Sequence, residues 1–370
     1  MSILNNLMRN LILPLFLLLS HWASAQNSYS YSPPVRTSDG WETADMRLNH
    51  MDTTRVYQLV NQLSAADHPL NSMLIVHKGK LILEEYFPSD QRSTPHDLRS
   101  VTKSIRSLLV GIALDQGLID DINDPLSKYL KEPLPQKNLD PRKNEITLAH
   151  LLTMSSGLDC NDWDQKSLGQ EDRVYKKKDW LQYTVDLPLI HEPGTQSFYC
   201  SMGSILIAKV IEEVSGLTID KFADTHLFGP MGISNYQWGH TKKKEVISAG
   251  WRIYMTPRDM AKLGQLVLDK GKWGSQQIVS EAWIKLSTSS HTRIDQMDYG
   301  YYWWLIPFKT ETAAYRSVTA TGNGGQYIMI FPELDLLAVF TGKAYNSAKG
   351  QLAFPIVRDV ILPSLKPAKD

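Results

Sequence analysis

Cysteine is scarce in this 370-residue chain, which holds Cys160 and Cys200 and no others. Two thiols are too few for a structural zinc site. Neither sits beside a histidine–acid pair in sequence, which argues against a cysteine nucleophile. Net charge is missing too. The 39 Lys and Arg cancel the 39 Asp and Glu, so nothing global favours nucleic acid or an anionic membrane surface as a partner. The runs Lys176-Lys177-Lys178 and Lys242-Lys243-Lys244 are short and read as solvated faces. The sequence has no His-x-x-x-His, no acidic cluster of metal-ligand type and no phosphate loop, so no metal or organic cofactor is expected. Internal repeats and low-complexity tracts are absent as well.

Long apolar runs are also lacking beyond the N-terminus. There, Arg9 precedes the apolar stretch 11–20, and Ala23-Ser24-Ala25 forms a small-residue cleavage site before Gln26, the pattern of a secretory leader. The stretch is too short to span a bilayer comfortably. The expectation is a periplasmic or secreted protein, cut after Ala25, with no membrane span in the mature chain. In that oxidising setting an even pair of cysteines tends to bridge, so a Cys160–Cys200 disulfide is expected. It would close a loop of about 40 residues and stabilise by at most about 4 kcal/mol in the chain-entropy model.

At 42% hydrophobic and 21% charged residues the chain has ample material for a core. Residues 26–45, rich in Ser, Tyr and Pro, read as an extended lead-in. A helix is expected at 53–63 and a hairpin at 72–87, turning at His77-Lys78-Gly79-Lys80. Helices are expected from 100 to Gly117, around 148–154, and on both sides of Pro193-Gly194 between 180 and Gly216. Further helices are expected at 219–228 and 256–269. The tail turns β at 301–306, 327–331 and 336–340 and closes with a helix near 352–362. Strands at both ends with helices between them predict an α+β fold.

Chemistry enters with Ser100-Val101-Thr102-Lys103 at the mouth of an apolar helix. Val101, Ile105, Leu108, Leu109 and Ile112 recur at helical spacing. Three residues is close to one turn, so the Ser100 hydroxyl and the Lys103 amine share a face. A serine hydroxyl needs a neighbouring base to become a nucleophile, and a lysine whose pKa is lowered by burial can supply one. The tetrad alone is a common pattern.

An ordered series of blocks makes it specific. After Ser100-Val101-Thr102-Lys103-Ser104 come Leu151-Leu152-Thr153-Met154-Ser155-Ser156-Gly157-Leu158 and Pro193-Gly194-Thr195 leading to Tyr199. Then follow Leu227-Phe228-Gly229-Pro230-Met231-Gly232-Ile233, Pro257-Arg258-Asp259-Met260 and the stretch 322–332. From about residue 70 to 362 the chain resembles the serine β-lactamase-like family, which holds class C β-lactamases, D-alanyl-D-alanine carboxypeptidases and many esterases and amidases. The resemblance implies a β-lactamase/transpeptidase-like fold, an antiparallel sheet flanked by helices. Residues 46–370 would form one catalytic domain, with an α/β lobe at about 46–105 and 240–370 and a helical lobe at about 106–239.

The resemblance also assigns roles. Tyr199-Cys200-Ser201 fits the family's Tyr-x-Asn or Tyr-x-Ser motif, which makes Ser100, Lys103 and Tyr199 the catalytic set. Tyr199 would accept the serine proton while the Lys103 ammonium stabilises the phenolate. Ala320-Thr321-Gly322 takes the place of the family's Lys-Thr-Gly strand, followed by Asn323-Gly324-Gly325-Gln326. The backbone N–H groups of Ser100 and Asn323 would form the oxyanion hole, with Ser201, Thr321, Gly322 and Gln326 near the substrate. A slip of three residues either way leaves Gln326 or Ala320 as the donor instead. Ala320 departs from the family lysine that holds a substrate carboxylate, which disfavours penicillins and D-Ala-D-Ala peptides. The turn, with the aromatics Tyr299, Tyr301, Tyr302, Trp303 and Trp304 before it, also resembles the 6-aminohexanoate-dimer hydrolase and carboxylesterase branch. In the family the segments holding Cys160 and Cys200 both approach the cleft, which again points to their pairing.

Other residues are plainer. His150 reads as a packed helix residue, His191 and His240 as loop residues. Trp163 and Trp251 are open between cleft lining and rim packing. The functional expectation is a secreted serine hydrolase acting on a small-molecule ester or amide. Two alternatives stand beside it: a penicillin-recognising D,D-peptidase or weak β-lactamase, and a non-catalytic binding or regulatory module. Retention of Ser100, Lys103 and Tyr199 argues against the module. Nothing in the sequence specifies an oligomeric state.

Overall fold

The computed structural model describes residues 29–49, 51–88, 90–239 and 252–365. The expected leader at 1–25, His240, Lys242-Lys243-Lys244 and Trp251 lie outside them. The helices that matter here are α1 (Thr53–Ala65), α2 (Val101–Asp115), α3 (Leu148–Leu152), α4 (Ser201–Ser215), α5 (Pro257–Leu268) and α6 (Glu281–Ser287). The strands are β1 (Glu42–Thr43), β2 (Leu70–His77), β3 (Lys80–Tyr86), β4 (Thr292–Ile294) and β5 (Met297–Tyr299). After them come β6 (Trp304–Lys309), β7 (Ala314–Gly322), β8 (Gln326–Phe331) and β9 (Leu336–Gly342).

By its contacts the chain divides into two compact units. The first comprises, of the described residues, 29–96, 255–268 and 306–365. Its sheet runs β1-β3-β2-β9-β8-β7-β6. The β1–β3 pair is parallel, while β3–β2, β2–β9, β9–β8 and β8–β7 are antiparallel. Strands β8 and β9 are buried at every residue, as expected of uninterrupted apolar runs. The β2–β3 hairpin turns on Lys78 and Gly79, both at positive φ (51° and 70°), the conformation that two-residue hairpin loops favour. Helix α5 lies close on the sheet because Gly264 has no side chain. A Cβ there would stand 2.5 Å from Leu337 and 2.7 Å from Ile328.

The lead-in is anchored within this unit. The buried Arg258 guanidinium donates to Asp39 at 2.8 Å, to the Thr37 hydroxyl at 2.9 Å and to the Val35 carbonyl at 2.8 Å. It also grips Glu84 bidentately at 2.7 and 2.6 Å. Burial alone would raise the Glu84 carboxyl, but hydrogen bonds from Arg258, Arg92 and Tyr86 hold it below its usual range.

The second unit comprises, of the described residues, 97–239, 252–254 and 269–305. The boundaries expected from sequence placed 97–105 and 269–305 with the sheet, whereas their contacts group them with the helices. Helix α2 is the hub of this unit, with every residue from Val101 to Ala113 buried. Trp283 of α6 donates its indole N–H to the Ser107 carbonyl at 2.8 Å, and its ring lies where Gly111 leaves room. Strands β4 and β5 pair antiparallel, and Tyr299 of β5 pairs with Trp304.

The α+β expectation holds, with a mostly antiparallel sheet and flanking helices. Several local expectations are corrected. The first helix of the 180–216 stretch spans only Trp180–Val185, because Pro188 and Pro193 end helical hydrogen bonding soon after. The strand expected at 301–306 starts instead at Trp304, since Tyr302 takes φ 65° and turns the chain. Helix α6 had no counterpart in the expectation, and of β7 only Ala320-Thr321-Gly322 was placed on a strand, by the motif resemblance. Gly111→Ala would place a Cβ 2.1 Å from the Trp283 ring and should destabilise by about 1–3 kcal/mol through overpacking. Thermal unfolding should show a lowered Tm, and an unchanged Tm would mean that α2 and α6 are not packed this closely.

Candidate active site

Ser100 stands one residue before α2, with helical backbone angles and no side-chain capping bond, so its hydroxyl is not spent on the helix end. Arg99, just before it, holds φ 50°, a costly conformation for a residue that carries a Cβ and lacks glycine's freedom. The chain therefore turns sharply into the helix at the hydroxyl. One turn on, the buried Lys103 ammonium donates to Ser100 Oγ at 2.9 Å and to Ser201 Oγ at 3.0 Å. It also lies 4.8 Å from the centre of the Tyr199 ring, in cation–π range. The Ser100 hydroxyl also interacts with the Tyr199 phenol. The structure thus brings together Ser100, Lys103, Tyr199 and Ser201, all within the second unit.

Their electrostatics bear on both proton routes expected from the sequence. Burial pulls Lys103 down to about 8, with Arg106 and Arg252 adding to the effect and Asp162 and Glu171 opposing it. Burial pushes the Tyr199 phenol well up, against the interaction with Ser100, and the acids Asp162 and Glu171 push it further. Burial thus works against a Tyr199 anion and towards a neutral Lys103 amine. The group poised to lose its proton near neutral pH is Lys103.

Tyr199 is fixed by stacking. Trp163 lies parallel to it (ring centres 5.3 Å apart, 2° between planes), and Trp304 stacks at 5.8 Å. Tyr299 meets Trp304 edge-on at 4.6 Å. Of the two readings open for Trp163, the structure shows a half-buried ring stacked on the candidate acid–base residue.

Cys160 and Cys200 form a disulfide, with Cα atoms 5.3 Å apart. It is one of several links between the same two segments. The Asp162 N–H donates to the Tyr199 carbonyl at 2.8 Å, and the Ser201 N–H donates to the Asp162 carboxylate at 2.8 Å. Asp162 was not picked out from sequence. An acid 59 residues from Lys103 carries no local pattern, and only the chain's path brings them together. His150 does more than pack: its ring nitrogen accepts from the Thr147 N–H while Thr147 Oγ1 accepts from the His150 N–H, closing a capping box on α3. His191 is a loop residue stacked on Phe198.

The third-motif residues belong to the first unit. Thr321 and Gly322 end β7, paired with Tyr327 and Gln326. Asn323 begins the turn, where Gly324 and Gly325 take φ 99° and 102°, a region glycine enters freely. The Asn323 side-chain oxygen Oδ1 accepts from the Asn346 N–H at 2.8 Å. The Gln326 side chain is not a free substrate donor. It is fully buried and bridges to Gly342, donating to its carbonyl at 2.6 Å and accepting from its N–H at 3.3 Å. Ala320 is fully buried opposite Ile328. Among the described residues no group of three His, Cys, Asp or Glu is placed to hold a metal ion, and no helix is long and apolar enough to cross a membrane.

The family model for Beta-lactamase matches residues 58–360, and the chain belongs to that family. It is 25% identical over 291 residues to the 6-aminohexanoate-dimer hydrolase of Paenarthrobacter ureafaciens, covering 72% of this chain and 70% of that protein. It is 25% identical over 317 residues to a beta-lactamase of Escherichia coli K12, covering 72% and 80%. Among solved structures, the octameric penicillin-binding protein homologue from Pyrococcus abyssi superposes with a TM-score of 0.65 at 19% identity, covering 86% of this chain and 79% of that one. The fold is therefore the β-lactamase/transpeptidase-like one expected from the motifs.

The disulfide stitches the Trp163 segment to the start of α4, where Tyr199 and Ser201 sit. Reduction, or Cys200→Ser, should lower the Tm by several degrees and slow turnover of any substrate, with Ser100 intact. Thiol titration of the denatured, unreduced protein should find no free cysteine. Two free thiols would contradict the bond.

Proposed function

We propose that this protein is a serine hydrolase that cleaves a small neutral ester or amide through an acyl-enzyme on Ser100. The observation that carries the reading is the buried Lys103 amine 2.9 Å from Ser100 Oγ, with its pKa drawn down to about 8 by burial. A neutral amine there takes the serine proton as Oγ adds to the substrate carbonyl carbon. The tetrahedral intermediate then expels the alcohol or amine, which leaves with a proton passed on from Lys103 by way of the Tyr199 phenol. In the second half, water gives its proton to the same pair and its oxygen attacks the acyl carbon. Ser100 leaves with a proton and the free acid is released. Backbone N–H groups, that of Ser100 first, are the proposed oxyanion donors.

Family membership supports hydrolysis as the reaction class, as do relatives named as a dimer hydrolase and a beta-lactamase. Ala320 favours substrates without a carboxylate, since the position that carries a lysine in the resembled enzymes offers no cation. The disulfide suits the secreted or periplasmic setting argued from residues 1–25.

Ser100→Ala should abolish p-nitrophenyl ester hydrolysis, a loss of ~1000-fold or more, with little change in Tm because the hydroxyl carries no cap. Activity within a few-fold of wild type would sink the mechanism. The pH profile follows from the direction of the Lys103 shift. The base is active when deprotonated, so kcat/KM should climb through about pH 8 instead of continuing to rise towards 10.5. Penicillins should be much poorer substrates than neutral esters, and efficient penicillin turnover would refute the substrate reading.

A further inference from the structure

The proposed acyl transfer leaves one enclosed acid without a task. Asp162 accepts from the Ser201 N–H at 2.8 Å and from the Glu171 N–H at 3.1 Å. The Ser201 hydroxyl accepts from Lys103 Nζ at 3.0 Å, and Lys103 Nζ donates to Ser100 Oγ at 2.9 Å. Ser201 therefore joins two arms of one chain of contacts: its backbone N–H is held by the Asp162 carboxyl, and its hydroxyl holds the Lys103 amine that reaches Ser100. We propose that Asp162 is the positioning residue of this site, fixing Ser201 by its backbone N–H so that the Ser201 hydroxyl keeps the Lys103 amine on Ser100, and governing when that amine gives up its proton.

The inference deepens the hydrolase reading and rests on it. Three features of the site support it. The carboxyl is tied down from both directions, by the Ser201 and Glu171 N–H groups, while its own N–H holds the Tyr199 carbonyl at 2.8 Å. A group so fixed cannot swing away from Lys103. Second, the bridging hydroxyl sits at the first residue of α4, where a carboxylate interacts favourably with the helix dipole. Third, the charges around Lys103 are few and named. Asp162 and Glu171 favour its protonated form, Arg106 and Arg252 disfavour it, and the Tyr199 ring lies against it. Burial and the nearby Glu171 raise the Asp162 carboxyl, while Lys103 and Ser201 lower it, so the acid and the amine lie close in proton affinity. Glu171 is engaged elsewhere, accepting from the Tyr175 hydroxyl at 2.6 Å.

The test reads proton chemistry at Ser100 without needing the natural substrate. A fluorophosphonate phosphonylates an activated serine. The Oγ–P bond forms, the P–F bond breaks, fluoride leaves, and the serine proton passes to Lys103. The second-order labelling rate is followed from about pH 5 to about pH 10, with the adduct mapped to Ser100. In Asp162→Asn the carboxylate that favours protonated Lys103 is gone, so more of the amine is neutral at any given pH. The rising limb should move at least ~1 pH unit lower, and the plateau should fall about 10-fold because the amine is less well held. Asp162→Glu, which keeps the charge, should return the limb towards wild type. Should Asp162→Asn fail to fold, Ser201→Ala breaks the same chain of contacts at the hydroxyl and should lower the plateau similarly.

Profiles that superimpose on wild type, with only the Tm lowered, would make Asp162 purely structural and overturn the inference while leaving the hydrolase reading intact. Wild-type protein unlabelled at Ser100 at every pH would overturn both.

Discussion

The site is organised around a buried ammonium. Taking a lysine out of water costs several kcal/mol unless partners replace its hydration, and Lys103 is held among Ser100, Ser201 and the face of Tyr199. Much of the second unit serves that placement. Helix α2 is buried along almost its whole length, the Tyr199 ring, stacked with Trp163 and Trp304, lies against the amine, and the start of α4 supplies the second hydroxyl. The incomplete compensation is what makes the lysine useful. An amine fully paired with carboxylates would stay protonated, whereas one held by neutral hydroxyls under heavy burial releases its proton near neutrality.

The covalent and hydrogen-bonded links between 160–163 and 199–201 give the arrangement its rigidity. The disulfide, the Asp162–Tyr199 backbone bond, the Asp162–Ser201 bond and the Trp163–Tyr199 stack join the same two short segments. Each link is modest alone. Together they fix the phenol, the bridging hydroxyl and the acid in one frame, so that none moves without the others.

How much of this was legible in the sequence depends on distance along the chain. Ser100 and Lys103 were readable because their relation is local, one turn of an amphipathic helix. Tyr199, Ser201 and the disulfide pairing followed from the order of motifs. Asp162 and the stack with Trp304 were not readable, since each depends on where a distant segment returns. The capping role of His150 is local to Thr147, but His at that position is not the Glu or Gln of the usual capping box. The tail misled in a similar way. The polar and small residues of Ala314–Gly322 hide a strand whose partners, not its composition, make it one. The proton order between Lys103 and Tyr199 stayed open in the sequence for a physical reason: burial acts oppositely on an amine and a phenol, and burial at a site is a tertiary property.

That order is the heart of the account, because a lysine that remains an ammonium cannot take the serine proton. It can be measured without any substrate. In protein carrying 13C-labelled lysine side chains, the Lys103 Cε resonance, assigned by its loss in Lys103→Arg, is followed through a pH titration. The account predicts a midpoint near 8, well apart from the exposed lysines. A Lys103 midpoint at or above about 10.4, the value of an unperturbed lysine, would contradict it.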